Sequence, residues 1–155
     1  MAFRIVGLPA ARFSKLFDLS AAALVKRRAV RRTADASPGF PCRIGLRDAD
    51  VGEEVILLNY THQPAPTPYQ SSHAIFIGQR SRDTYDRIDE VPQQLKTRTL
   101  SLRAFNATGF IVDASLVEGK ALEDAIDRLL SLPKVDYIHA HFARFGCYAA
   151  RIERG

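Results

Sequence analysis

Apolar positions along the chain change period several times, and those changes divide it into elements. Residues 3–8 read as a short first strand closed by Pro9. Phe13, Leu16 and Phe17 then recur at helical spacing. Ser20 suits the N-cap of a second short helix running to about Arg28, because its hydroxyl can accept a free first-turn N–H. Leu19 and Leu24 occupy the positions of a hydrophobic staple across that cap. The Ser-Pro-Gly-Phe-Pro segment at 37–41 breaks the pattern, and 42–46 follows as a short strand. Residues 55–60 form a continuous apolar run, as expected for a strand covered on both faces. From 62 to 72, three prolines and small polar residues predict a loop long enough to carry function. A further apolar strand covers 74–77.

The second half alternates more clearly. Residues 81–90 are polar and irregular, and a short helix follows Pro92. Over 99–105, Leu100, Leu102 and Ala104 fall on one face, with Ser101 and Arg103 on the other. Residues 106–109 then turn the chain into 110–112, which completes a hairpin. Residues 120–132 carry the clearest helix. Leu122, Ala125, Ile126, Leu129 and Leu130 make one apolar stripe, and Pro133 stops it. A last hairpin pairs 135–142 with 147–152 around residues 143–146. Hairpins outnumber β-α-β alternations, so the expected class is α+β: a mixed, mainly antiparallel sheet with helices packed on one face. Residues 1–155 are expected to form a single compact domain.

Composition agrees with a packed globule. The chain is 46% hydrophobic and 25% charged, close to the globular average. Two cysteines, Cys42 and Cys147, with no C-x-x-C pair, exclude a disulfide framework and a zinc ribbon. The N-terminus has no charged leader before an apolar stretch, and no apolar run nears the roughly 18–20 residues that span a bilayer. A cytoplasmic protein with reduced thiols and no membrane partner is the expectation. Net charge is +5, and its location matters more than its size. Residues 26–32 hold five cations and no anion, while the remaining 17 cations match the 17 carboxylates. That heptad has no interleaved aromatics and no nucleic-acid motif beside it, so a solvated surface is favoured over a nucleic-acid contact.

Candidate chemistry centres on Tyr137-Ile138-His139-Ala140-His141. On a strand, Tyr137, His139 and His141 project to one face, with the two imidazoles about 7 Å apart along the chain. Such a pair begins many metal sites. A third ligand has candidates in His73, His62 and Cys42, and zinc would want three or four. If the last turn pairs Phe142 with Cys147, then His141 lies opposite Tyr148 and the Cys147 thiol faces away. Tyr69, His73 and Arg103 complete a set that can converge on a polar pocket, where Arg103 would pair with an anionic group. No phosphate-cradling glycine loop and no nucleophile elbow is present.

Several stretches also carry a family resemblance. They are Phe40-Pro41-Cys42-Arg43, residues 52–60, Pro68-Tyr69, Ala74-Ile75-Phe76, Leu102-Arg103-Ala104-Phe105, His139, and Gly146-Cys147-Tyr148. Through them the chain resembles, over nearly its whole length, the bacterial proteins grouped as domain of unknown function family 1203. The resemblance implies a compact bacterial domain and no assigned activity. The chain departs from that pattern at His73-Ala74, where many members carry Gly-Pro, and at His141, where many carry arginine. A metal held through His73 and His141 would then not be a family-wide trait. The leading expectation is accordingly a small-ligand-binding domain, with a polar or anionic molecule held by Tyr69, His73, Arg103, His139, His141 and Tyr148. A divalent metal on His139 and His141 is the alternative, and nucleic acid on residues 26–32 a third.

Overall fold

Period-2 alternation sets the largest layer of the structure. The computed structural model describes residues 1–155. Six strands form one sheet in the order β5-β1-β9-β8-β6-β7. These are β1 (Phe3–Val6), β5 (Asp86–Ile88), β6 (Thr99–Phe105), β7 (Ile111–Glu118), β8 (Tyr137–Phe142) and β9 (Tyr148–Arg154). Three more make a second sheet, with β3 (Glu54–Gln63) between β2 (Ala29–Thr33) and β4 (Ser71–Gly78). Every ladder is antiparallel. The one parallel element is an isolated bridge between Cys42 and Phe76. The expected mixed sheet is therefore two antiparallel sheets.

The helices are few and short, and they do not share one face. Helix α3 (Leu122–Leu130) turns its apolar stripe onto the six-stranded sheet. Leu122, Ile126, Leu129 and Leu130 are buried there with Leu100, Leu102, Ile138, Ala140 and Ile152. Helix α2 (Gln93–Lys96) adds Leu95 to that core. Helix α1 (Ala21–Lys26) belongs instead with the second sheet. Its Leu24 packs with Ile56, Leu58, Ile75 and Ile77, and Ser20 caps it by accepting from the Ala23 N–H at 3.1 Å. Phe13, between two short 3-10 turns, and Leu16 and Phe17, within the second, lie on that same second core. The correction to the one-face arrangement follows from this division: two sheets each bury an apolar face, the larger under α2 and α3 and the smaller under α1.

Three stretches differ from their expected structure for local reasons. Residues 42–46 form turns held by isolated bridges, not a strand. The cationic heptad splits into the end of α1, a turn with Arg28 at φ 55°, and edge strand β2. Within it Arg31 is half-buried, donating to Glu54 Oε1 at 2.8 Å and to the carbonyls of Phe17 and Leu19. Lys26, Arg27, Arg28 and Arg32 remain exposed, and charge on an edge strand blunts edge-to-edge association. Finally, β3 runs through Gln63, so the expected long loop shrinks to residues 64–70 and His62 lies in a strand.

Arg43 ties the region together from inside. Its guanidinium is fully buried and donates from Nε to the Tyr148 carbonyl at 2.8 Å, and also to the Pro41 carbonyl. A third contact reaches the Cys147 sulfur at 3.0 Å, and the group lies 4.9 Å from the centre of the Phe142 ring. Burial pulls this guanidinium down to about 10. Cys42 and Cys147 are both buried and unbridged.

Candidate metal centre between the sheets

Strand alternation places the first two imidazoles. On β8, Ile138, Ala140 and Phe142 enter the core shared with α3, so Tyr137, His139 and His141 face the other way. That second face is buried too, and every residue of β8 is shielded. Neighbouring strands set what surrounds the rings. Across β6, Arg103 pairs with His139 and Ser101 with His141. Across β9, Arg151 pairs with His139 and Tyr148 with His141.

Two bulges complete the arrangement. Between the pairs Ala140–Ala150 and His141–Tyr148, the β9 strand carries one extra residue, Ala149. This shift lets Arg151 and Tyr148, three positions apart, share a face. The expected opposition of His141 and Tyr148 holds, and Cys147 stays on the side of the α3 core. The second bulge is on β3, where Thr61 pairs with Ser72 and Gln63 with Ser71, leaving His62 as the extra residue. A bulge re-aims a side chain without ending its strand. Here it directs His62 against the six-stranded sheet. Its ring stacks on Tyr148, with centroids 5.5 Å apart and planes 7° from parallel. The next residue, Gln63, donates to the Tyr137 hydroxyl at 2.8 Å and ties the two sheets together.

The outcome is a cluster of three histidines. One ring nitrogen from each of His62, His139 and His141 lies within 4.8 Å of the other two. The residues are 8%, 4% and 1% exposed. Each ring also has a buried nitrogen without a hydrogen-bond partner: Nδ1 of His62, Nδ1 of His139 and Nε2 of His141. His141 Nδ1 lies 3.0 Å from the Gly146 carbonyl. A carbonyl only accepts, so Nδ1 carries the proton and Nε2 keeps its lone pair. A backbone carbonyl orienting a ring in this manner is the usual outer support of a ligating histidine.

Electrostatics keep all three rings neutral. Burial is the main cause in each case. It brings His62 down to about 4, and His139 and His141 to about 3. Arg103 lowers all three further, while the Gly146 carbonyl partly opposes the shift at His141. Neutral imidazole is the ligating form. Burial also pushes the Tyr148 hydroxyl well above its usual range, so it remains a phenol.

The other expected site residues are distributed as follows. Arg103 is half-buried beside the cluster, and it forms no ion pair or hydrogen bond within the chain. Tyr69 is exposed on the short loop, with its ring 5.9 Å from that of Phe110. His73 is half-exposed on β4 opposite Tyr60, with Nδ1 3.1 Å from the Ala74 carbonyl, outside the three-nitrogen cluster. Cys42 is buried in the second core and accepts from the Gly78 N–H at 3.2 Å. Of the three candidates for a third ligand, the structure brings His62 to the pair. Two surface recesses, of about 490 and 320 Å³, lie elsewhere and contain none of the histidines.

Fold and cluster define an α+β domain of two antiparallel sheets with a buried trio of histidines between them. The chain belongs to the family described as protein of unknown function DUF1203, which matches residues 39–154 and so includes all three histidines and Arg103. No curated protein and no solved structure matches it. No helix is long and apolar enough to cross a membrane.

Proposed function

We propose that this chain, taken as one folding unit over residues 1–155, is a metal-binding protein. In this reading His62, His139 and His141 hold a divalent transition ion of the zinc class. The observation that carries the reading is a cluster in which one ring nitrogen of each histidine lies within 4.8 Å of the other two and every ring has a buried nitrogen without a partner. A buried polar atom without a partner costs about 1–3 kcal/mol, and three neutral imidazoles in a carboxylate-free site offer lone pairs to a cation. The sequence also supported an organic-ligand pocket, but three histidines only 1–8% exposed favour an ion as the group they hold directly.

Geometry adds a specific consequence. Around a tetrahedral zinc with bonds of about 2.0–2.1 Å, ligand nitrogens stand roughly 3.3 Å apart. The present spread of up to 4.8 Å must therefore close on loading. Three protein ligands also leave a coordination position open, as catalytic zinc sites do and structural ones do not.

The test is a zinc titration of tag-free protein, first stripped with chelator and followed by calorimetry against a competing chelator. One equivalent bound per chain is expected, with the apparent affinity reduced in His62→Ala. Failure to retain zinc above the level of a His62→Ala/His139→Ala/His141→Ala protein rejects the assignment.

A further inference from the structure

We propose that the open position of this metal takes an organic carboxylate, anchored at its other oxygen by Arg103. The inference rests on the metal reading above and adds the ligand class. Charge is the first argument. A divalent ion on three neutral histidines has no carboxylate in its ligand set, and Arg103 and Arg151 are the charged groups directly across the ladder from His139. Arg151 is compensated by Glu153 at 3.0 Å. Arg103 is not. Ion and guanidinium together would leave a large positive charge in a half-buried place, and an anion bridging them offsets part of it.

Arg103 itself is the second argument. Every other arginine next to this sheet face has work inside the fold: Arg4 pairs with Asp86 and Glu153, and Arg151 with Glu153. Arg103 stands on the middle of β6 with five donors and no acceptor from the chain. A guanidinium N–H donating to the oxygen left free by the metal makes a charge-assisted hydrogen bond, stronger than a neutral one.

Its surroundings select among anions. Ala114 of β7 pairs with Arg103, and Leu116 pairs with Ser101, so both continue the same face outward. Leu116 is 73% exposed, and Val112, two residues to the other side of Ala114 on β7, is 38% exposed. An apolar strip leading to a guanidinium suits a carboxylate with a hydrocarbon tail better than inorganic phosphate.

Cobalt(II) in place of zinc makes the site visible, because its d–d spectrum responds to a change of the fourth ligand. Titrating cobalt-loaded protein with acetate, hexanoate and phosphate should show saturable spectral changes, with hexanoate binding several-fold tighter than acetate and phosphate weakest. Arg103→Met should weaken the carboxylates roughly ten-fold or more, the loss of a charge-assisted pair, and Arg103→Lys should restore part of it. Arg103 makes no internal hydrogen bond, so the Met variant is expected to melt as the parent does. Phosphate binding as tightly as hexanoate, or an anion response unchanged by Arg103→Met, overturns this inference while leaving the metal site standing. Absence of any cobalt spectrum removes the metal reading and this inference together.

Discussion

Zinc is expected to raise the melting temperature of the wild-type protein, and His141→Ala to abolish that shift. At free zinc a hundred-fold above the dissociation constant, a site confined to the native state contributes about 2.7 kcal/mol. In a domain of this size that corresponds to roughly 5–10 °C. His141 is chosen because its tautomer is set by the Gly146 carbonyl, leaving Nε2 as the donor to the ion. Loss of the ring also deletes that hydrogen bond, so the metal-free variant melts somewhat lower. The zinc-dependent increment, not the baseline, is the readout. His62→Gln and His139→Gln are expected to lose most of the increment as well. His73→Ala should keep it, since His73 lies outside the cluster. An increment that survives in the His141 variant shows that zinc binds elsewhere.

The largest effect on stability is expected at Arg43. Its guanidinium has no carboxylate partner, yet it is fully buried and satisfies the Tyr148 and Pro41 carbonyls while lying against Phe142. Arg43→Ala orphans those carbonyls and leaves a side-chain-sized void beside them. At about 1–3 kcal/mol for each orphaned acceptor, with a cavity cost in addition, the variant loses about 3–5 kcal/mol. Urea unfolding measures this directly, and a change below about 1 kcal/mol contradicts the role given to Arg43. Because Arg43 grips the backbone of Tyr148, which stacks on His62, the variant should also loosen zinc binding.

Much of this arrangement was legible in the residues, and the reasons are local. Strand alternation alone put His139 and His141 on one face, and turn counting alone opposed His141 to Tyr148. Both are short-range geometric rules. His62 was harder. Its strand reads as an apolar run that stops at Tyr60, and the prolines at 64, 66 and 68 suggest a loop beginning too early. A signal was nonetheless present: Ile56, Leu58, Tyr60 and His62 keep a period of two across that boundary. Recruiting His62 to the pair depends on a bulge and on the docking of one sheet against another. Neither is encoded in a local pattern. Division into two sheets escaped for the same reason, since β2 lies inside a cationic heptad with little strand character and β5 is only three residues long. Arg43 stands in the sequence only within the Phe40-Pro41-Cys42-Arg43 stretch, and no local pattern there separates a buried arginine from an exposed one.

Family membership and the site need not coincide. The match over residues 39–154 assigns the chain to a group without a known activity. The resemblance noted in the sequence includes Arg103 and His139 but departs at His141, so the three-nitrogen site is proposed for this chain and not for the family.

X-ray absorption at the zinc edge addresses the central claim most directly, because it counts and types the ligands on the ion. For zinc-loaded protein we expect three imidazoles, identified by their outer-ring scattering, and one further oxygen, all at about 2.0–2.1 Å with no sulfur. A spectrum requiring a sulfur near 2.3 Å, or fitted by no more than one imidazole, would contradict the assignment of His62, His139 and His141 as the ligands.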